Sequence, residues 1–248
     1  MGVFPKNRYF YPEFRYQFKV TDMKNLKFLT GTAVLLLIIN SLPLKVGAQE
    51  ESGIKFNVSA DLYSSYIWRG SKLGQGPAFQ PSVDFSDGGL TIGVWGSVDA
   101  SGYTEADPYI SYSFPFGLSL GITDYYLPDL PLSETSRFSG SHALELNCAF
   151  ESGGFSLSAN YIVNEAGGIG SAGGDKYFQI GYAFEDAGIF AGAGDGWHTA
   201  DGGFNICNIG LEVSKEIEVT DRFSIPVTGQ VVVNPDTEKL FVVVGISF

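Results

Sequence analysis

The sequence predicts an all-β chain: a transmembrane, antiparallel, up-and-down β-barrel of about twelve strands, with short turns at one end and longer loops at the other. Three observations carry that reading. Apolar residues recur with period two from Gly53 to the final residue, the mark of strands with one face in an apolar medium. The connections between these runs alternate short and long. The chain then stops on Leu240-Phe-Val-Val-Val-Gly-Ile-Ser-Phe248, in which Leu240, Val242, Val244, Ile246 and Phe248 share one face of an extended strand.

The elements follow in order. Ile54, Phe56, Val58, Ala60 and Leu62 alternate with Lys55, Asn57, Ser59, Asp61 and Tyr63, and the phase continues through Tyr66 and Trp68 against Ser65 and Arg69. The first strand is therefore expected over Ile54–Arg69. A Gly/Pro loop precedes Phe79–Ser86, the turn Asp87-Gly-Gly89 and Leu90–Asp99. Next come Asp107–Phe114, the turn Pro115-Phe-Gly117, and Leu118–Tyr126. A long loop leads to His142–Glu151, the turn Ser152-Gly-Gly154, and Phe155–Asn164. The last strands are Lys176–Glu185, Ile189–Gly194 (short and rich in Ala and Gly), Phe204–Lys215, Arg222–Val233 after a turn at Glu216–Asp221, and Leu240–Phe248. Twelve is an even number, as single-chain outer-membrane barrels require. The alternation of loop length places the short turns and both strand termini at one end, the periplasmic end of such barrels.

Composition agrees. Charged residues are 17%, below the usual quarter, while aromatics reach 15% and Gly numbers 32. Disorder would show the reverse pattern of low hydrophobicity and high charge. Seven of the 15 Lys and Arg precede residue 49, so residues 49–248 carry eight against 25 acidic residues, a formal charge of −17. A surface so acidic excludes a nucleic-acid-binding role, which needs a basic footprint.

Residues 23–48 account for the asymmetry. Met23-Lys-Asn-Leu-Lys27 is a short basic start, Phe28–Ile39 an apolar core, and Val46-Gly-Ala48 a small-residue cleavage pattern before Gln49. The apolar run is shorter than the about 20 residues a spanning helix needs, so a secretory signal peptide is expected. Residues 1–22 have no place in such a signal and read as a non-native upstream extension, with residues 49–248 forming one barrel domain.

Period two alone does not say which face points inward. Aromatics cluster beside the short turns (Phe85, Phe114, Phe150, Phe184, Phe223, Phe248), as an interfacial girdle does. The opposite faces carry Asn57, Asp61, Gln80, Asp84, Glu145, Asn147 and Glu212, too polar for a dry core. The apolar face is therefore assigned to lipid and the polar face to a lumen, against the alternative of a soluble lipocalin-like barrel or sandwich.

Ser65-Tyr-Ile-Trp-Arg-Gly-Ser-Lys72, Gly76-Pro-Ala-Phe-Gln-Pro81, Ile92-Gly-Val-Trp-Gly-Ser97 and the acidic-aromatic Glu105–Tyr109 resemble the TorF-type porin family. That family closes its first strand with Tyr-x-x-Arg-Gly and carries Gly-x-Trp-x-Ser in its third. The likeness is clear from about Ala60 to Tyr126. It implies a bacterial outer-membrane barrel, and its porin label is a family-level one rather than a demonstrated activity. The terminal strand likewise resembles those of bacterial outer-membrane barrels, whose final Phe the assembly machinery recognises. Phe248, Ile246 and Val244 are the expected insertion signal, and loss of Phe248 is expected to impair insertion more than conductance.

The functional expectation is a porin-like channel for passive diffusion of small solutes. Asp61, Asp84, Asp99, Asp107, Glu145 and Glu212 on the polar face outnumber Lys55 and Arg69, which favours cations or neutral molecules. Arg69 is either a selectivity element or a structural fork, and Trp95 projects to the lumen, constricting it or packing against Tyr63 and Tyr109. The alternative is that the carboxylates pair with one another, with Arg69 or with lumenal hydroxyls as a closed polar plug, since a barrel this small is readily narrowed by side chains. A non-conducting surface-binding or adhesion barrel is a second reading. A third is a membrane-embedded lipid-modifying enzyme, for which His142 beside Ser141, or His198 in Trp197-His-Thr-Ala-Asp201, would be needed. No nucleophile motif supports the enzyme. Asp195–Gly203 lacks regular calcium-loop spacing, and Cys148 and Cys207 lack metal or redox spacing. No cofactor or metal is expected. The expected partners are outer-membrane lipids, the barrel-assembly machinery and small solutes, around a monomer.

Overall fold

The computed structural model describes residues 53–128, 138–220 and 223–248. The expected upstream extension and expected signal segment, with part of the Pro128–Ser141 loop, lie outside the described residues. Twelve strands close an antiparallel barrel in chain order: β1 (Lys55–Tyr63), β4 (Ala78–Asp87), β5 (Leu90–Asp99), β6 (Thr104–Ser113), β7 (Leu118–Tyr126), β8 (His142–Ser152), β9 (Phe155–Ile162), β10 (Lys176–Ala183), β11 (Ala187–Gly194), β12 (Asn205–Thr220), β13 (Phe223–Asn234) and β14 (Lys239–Ser247). β2 (Tyr66–Trp68) and β3 (Ser71–Leu73) form a separate two-stranded hairpin. The seam is sealed where β14 meets β1, pairing Asp61 with Ser247 and Tyr63 with Gly245, with Phe248 N–H donating to the Ala60 carbonyl at 2.9 Å.

The wall has the polarity that the alternation predicts. Phe56, Val58, Ile92, Ile122, Ile180 and Val242 stand exposed on the outside, while Asp61, Gln80, Glu145, Asn160 and Asn234 are buried within. Such a surface is stable against hydrocarbon and unstable against water, and closure satisfies the ladder groups that an open edge would expose to lipid. Rings gather at the short-turn end: Phe56 and Phe85 lie 4.8 Å apart, Tyr182 and Phe184 5.2 Å, and Phe248 is 62% exposed. Val244 is exposed on the same outer face, and Ile246 is partly so. Gly153 and Gly154, with φ of 58° and 91°, make the β8–β9 link a turn that L-residues resist.

The first strand departs from expectation. It ends at Tyr63 rather than Arg69, so β14 pairs with Ala60–Ser64 and not with all of Ile54–Arg69. The alternation continues because Tyr66–Trp68 and Ser71–Leu73 remain extended, but Tyr66 and Trp68 are buried inside the barrel instead of standing on its outer face. Arg69 and Gly70, at φ 48° and 80°, form the two-residue turn, and this pattern of positive φ suits a tight hairpin. The expected turn at Glu216–Asp221 also moves, because Glu216, Ile217 and Glu218 pair with Pro226, Ile225 and Ser224 and carry β12 to Thr220. Tyr66, Trp68, Trp95, Tyr125 and Ile162 form the buried apolar cluster, which lies in the lumen and includes the hairpin.

Candidate functional site

Arg69 sits at the hairpin tip, 4% exposed, and forks onto Glu145 of β8: Nη1 donates to Oε1 at 2.7 Å and Nη2 to Oε2 at 2.8 Å. Glu145 Oε2 also accepts from Tyr125 Oη at 2.9 Å and from Asn147 Nδ2 at 2.7 Å. The guanidinium carbon lies 4.7 Å from the Trp68 ring centre and 4.4 Å from that of Tyr177, so aromatic faces cover the charge. Asn234 Nδ2 donates to the Gly70 carbonyl at 3.0 Å. A Cβ at Gly70 would run into the Cys207 carbonyl, so glycine permits this approach as well as the positive φ. The hairpin is thus tied to β8, β10 and β13 across the lumen.

His198, in the β11–β12 connection, completes the site. Its Nε2 lies 3.2 Å from Arg69 Nη1 and 2.9 Å from Trp197 Nε1. Both neighbours only donate, so Nε2 accepts and the ring proton is on Nδ1. Burial, reinforced by the Arg69 charge, holds His198 well below its ordinary range and keeps it neutral.

The other predicted residues are dispersed. Asp61 is buried on the inner wall opposite Gln80. Asp84 accepts from Asn57 Nδ2 at 2.8 Å, and Glu212 from Gln230 Nε2 at 2.5 Å. Asp107 accepts from the Tyr126 N–H at 3.3 Å. Trp95 points inward and packs edge-on to Tyr66 with ring centres 5.4 Å apart. Asp99 departs most from the expected lumenal role: it sits at the rim and ties two loops, accepting from Gln75 N, Ser101 N, Ser101 Oγ and Tyr103 N. Asp84, Asp99, Asp107 and Glu212 are each engaged by their own strand neighbours or loop rather than by one another. Lys55 is exposed at the start of β1.

Sequence reasoning passed over Gln80, Glu105, Tyr177 and Asn234 as site residues. The available signal for the hairpin was Arg69-Gly70 between two short extended runs, a two-residue turn pattern. His198 carried no signal beyond being one of two histidines. The other, His142, lies on the outer face, its Nδ1 2.9 Å from Asp124 Oδ2 and its ring stacked on Tyr126 at 4.4 Å. Of the calcium-loop candidates, Asp195 pairs with Lys176 Nζ at 2.8 Å, and Asp201 accepts from Gly203 N at 2.9 Å. Cys148 and Cys207 are both free thiols.

The fold and site define a closed antiparallel barrel with an internal hairpin. Residues 47–209 match the profile of Gcw_chp, bacterial proteins of unknown function, and the chain belongs to that family. No curated protein matches the sequence. Among solved structures, a mutant porin of Rhodopseudomonas blastica is 15% identical with a TM-score of 0.39, the match covering 69% of this chain and 55% of that one. This chain therefore spans about half of that porin's length. Outer membrane phospholipase A from Escherichia coli is 12% identical with a TM-score of 0.37, covering 76% of this chain and 86% of that one. The Salmonella typhi phospholipase dimer is 13% identical with a TM-score of 0.38, covering 77% and 88%. The likeness extends to the barrel and no further.

Proposed function

We propose that the protein is a porin-like channel of the bacterial outer membrane for small solutes, held shut by the β2–β3 hairpin and opened when that hairpin leaves the lumen. The observation that carries this reading is the buried Arg69–Glu145 fork, which fastens the hairpin to the opposite wall. Closure needs no support from the hairpin, since the twelve wall strands pair continuously without it. The hairpin is therefore a separable element inside a self-sufficient cylinder. The resemblance of residues 60–126 to TorF-type porins and the secretory pattern of residues 23–48 support the same assignment.

The open lumen would favour cations or neutral solutes. Glu145 neutralises Arg69, while Asp61, Asp84, Glu105, Asp107 and Glu212 give the inner wall its acidic character. The protein is not an enzyme on this reading, and it acts as a monomer inserted through Phe248. Current through the purified protein in a planar bilayer tests the proposal. The wild type is expected to conduct rarely, and replacement of Tyr66–Leu73 by a Gly-Ser link is expected to give steady current with cation-selective reversal potentials. A hairpin-less barrel that stays silent would overturn the channel reading in favour of surface binding.

A further inference from the structure

Beneath the hairpin, four strands place one polar row on the inner wall. Asp61 of β1 faces Gln80 of β4. Gln80 lies between the Phe79–Val98 and Ser82–Trp95 pairs and so faces Ser97 of β5, which in turn faces Glu105 of β6. Directly cross-strand residues stand about 5 Å apart, so the four form a continuous strip. Trp95, one step along β5 on the same face, lies beside it under the Tyr66 ring.

Several buried polar atoms of this strip are left unpartnered side by side. Gln80 and Ser97 are each 1% exposed, yet Gln80 Nε2, Gln80 Oε1, Ser97 Oγ and Trp95 Nε1 have no hydrogen-bond partner among the described residues. Leaving such groups unpaired carries their full desolvation penalty. The set contains two obligate donors, one obligate acceptor and a hydroxyl that does either. A bare cation would engage the carboxylates and leave both N–H groups unpaired. A solute bearing several hydroxyls both donates and accepts, and its ring would take the place of Tyr66 against Trp95.

Resting on the gated-channel reading, we propose that Asp61, Gln80, Ser97, Glu105 and Trp95 form a recognition strip for small hydroxyl-rich solutes, sugars or polyols, and that such a solute competes with Tyr66 of the hairpin. Solute and plug then exclude one another, so binding favours the open state by mass action. The two changes that probe this act in opposite directions. Gln80→Leu removes two partners and is expected to weaken binding at least tenfold. Tyr66→Ala removes the competitor and is expected to tighten it about tenfold.

Calorimetric titration of the purified barrel in detergent with glucose, and separately with choline chloride, tests the inference. Ser97→Val serves as a second strip variant, and circular dichroism checks folding of each. Saturable glucose binding, weakened in Gln80→Leu and Ser97→Val and tightened in Tyr66→Ala, is the expected result. The absence of glucose binding in both the wild type and Tyr66→Ala would overturn it, as would glucose affinity unchanged in the strip variants or saturable choline binding alone. Glucose binding by a barrel that never conducts would leave the strip standing and remove the channel.

Discussion

The two halves of the lumen are held together in different ways. Toward the short turns, inward polar side chains bond to adjacent strands: Asn57 to Asp84, Ser59 to Ser82 at 2.6 Å, Ser119 to Ser113 at 3.1 Å and Ser214 to Thr228 at 3.3 Å. Toward the long loops, the contacts cross the barrel instead, linking Arg69 to Glu145 and His198, and Gly70 to Asn234. The near half consists of short ladders that repeat what the backbone pairing already fixes. The far half is a docked element whose position depends on a few buried groups. Local loss should therefore be silent in one half and open the other.

The largest break should come from Glu145→Ala. It strands the Arg69 charge among aromatic rings, and removing one partner of a buried pair costs about 3–5 kcal/mol. Because β8 still pairs with β7 and β9, the loss falls on hairpin docking rather than on the wall. Planar-bilayer recording should show frequent openings where the wild type shows few. The double variant Arg69→Met with Glu145→Leu should return to the closed pattern, since an apolar pair of similar volume often replaces a buried ion pair at little cost. Persistent closure of Glu145→Ala would mean that the rings alone hold the hairpin.

Gly70→Ala should have the next largest effect. It places a Cβ against the Cys207 carbonyl at a positive φ, a strain of about 1–3 kcal/mol. Partial opening is expected, with more frequent but brief current events. An unchanged record would show that the hairpin tip shifts without undocking.

The cylinder was legible in the sequence and the hairpin inside it was not, for a physical reason. Lipid-facing and lumen-facing residues alternate along every wall strand, so Val242, Val244 and their counterparts announce the wall directly. Tyr66 and Trp68 alternate in the same way, and period two does not distinguish a strand in the wall from an extended hairpin inside it. Only the paired positive φ at Arg69 and Gly70, which Gly70 hinted at, marks the reversal. The site was legible in its partners but not in its pairing. Arg69 and Glu145 both stood out as inward charges, yet 76 residues separate them and only barrel closure brings them together. Asp99 misled because strand parity places it on the lumenal face, whereas the end of β5 lies where loop amides compete for a carboxylate.

Acidification should open the plug more gently. His198 is held neutral in the docked state and returns to its ordinary value of about 6.5 when released. The released state therefore binds the extra proton, and its contribution to docking is complete above about pH 6.5 and lost as pH falls below it. The charged groups around the ring make the direction firm. Arg69 is the near cation, Glu145 is already committed to it, and the Tyr177 ring lies tilted with its centre 5.4 Å away. A proton on Nε2 would point at two donors. Opening frequency should rise as pH drops from 7.5 to 5, and His198→Gln should flatten that dependence.

Ser59→Ala supplies the smallest effect and the sharpest contrast. Its hydroxyl shares a bond with Ser82 on the strand that already pairs with β1 residue by residue. Loss of one such neutral bond costs about 0.5–1.5 kcal/mol, and none of it falls on the hairpin. Thermal unfolding followed by circular dichroism should shift by a few degrees at most, while conductance and its pH dependence stay at the wild-type pattern. A change in gating from this position would show that the two halves are mechanically coupled, and that the hairpin is part of the wall's own packing rather than an element docked inside it.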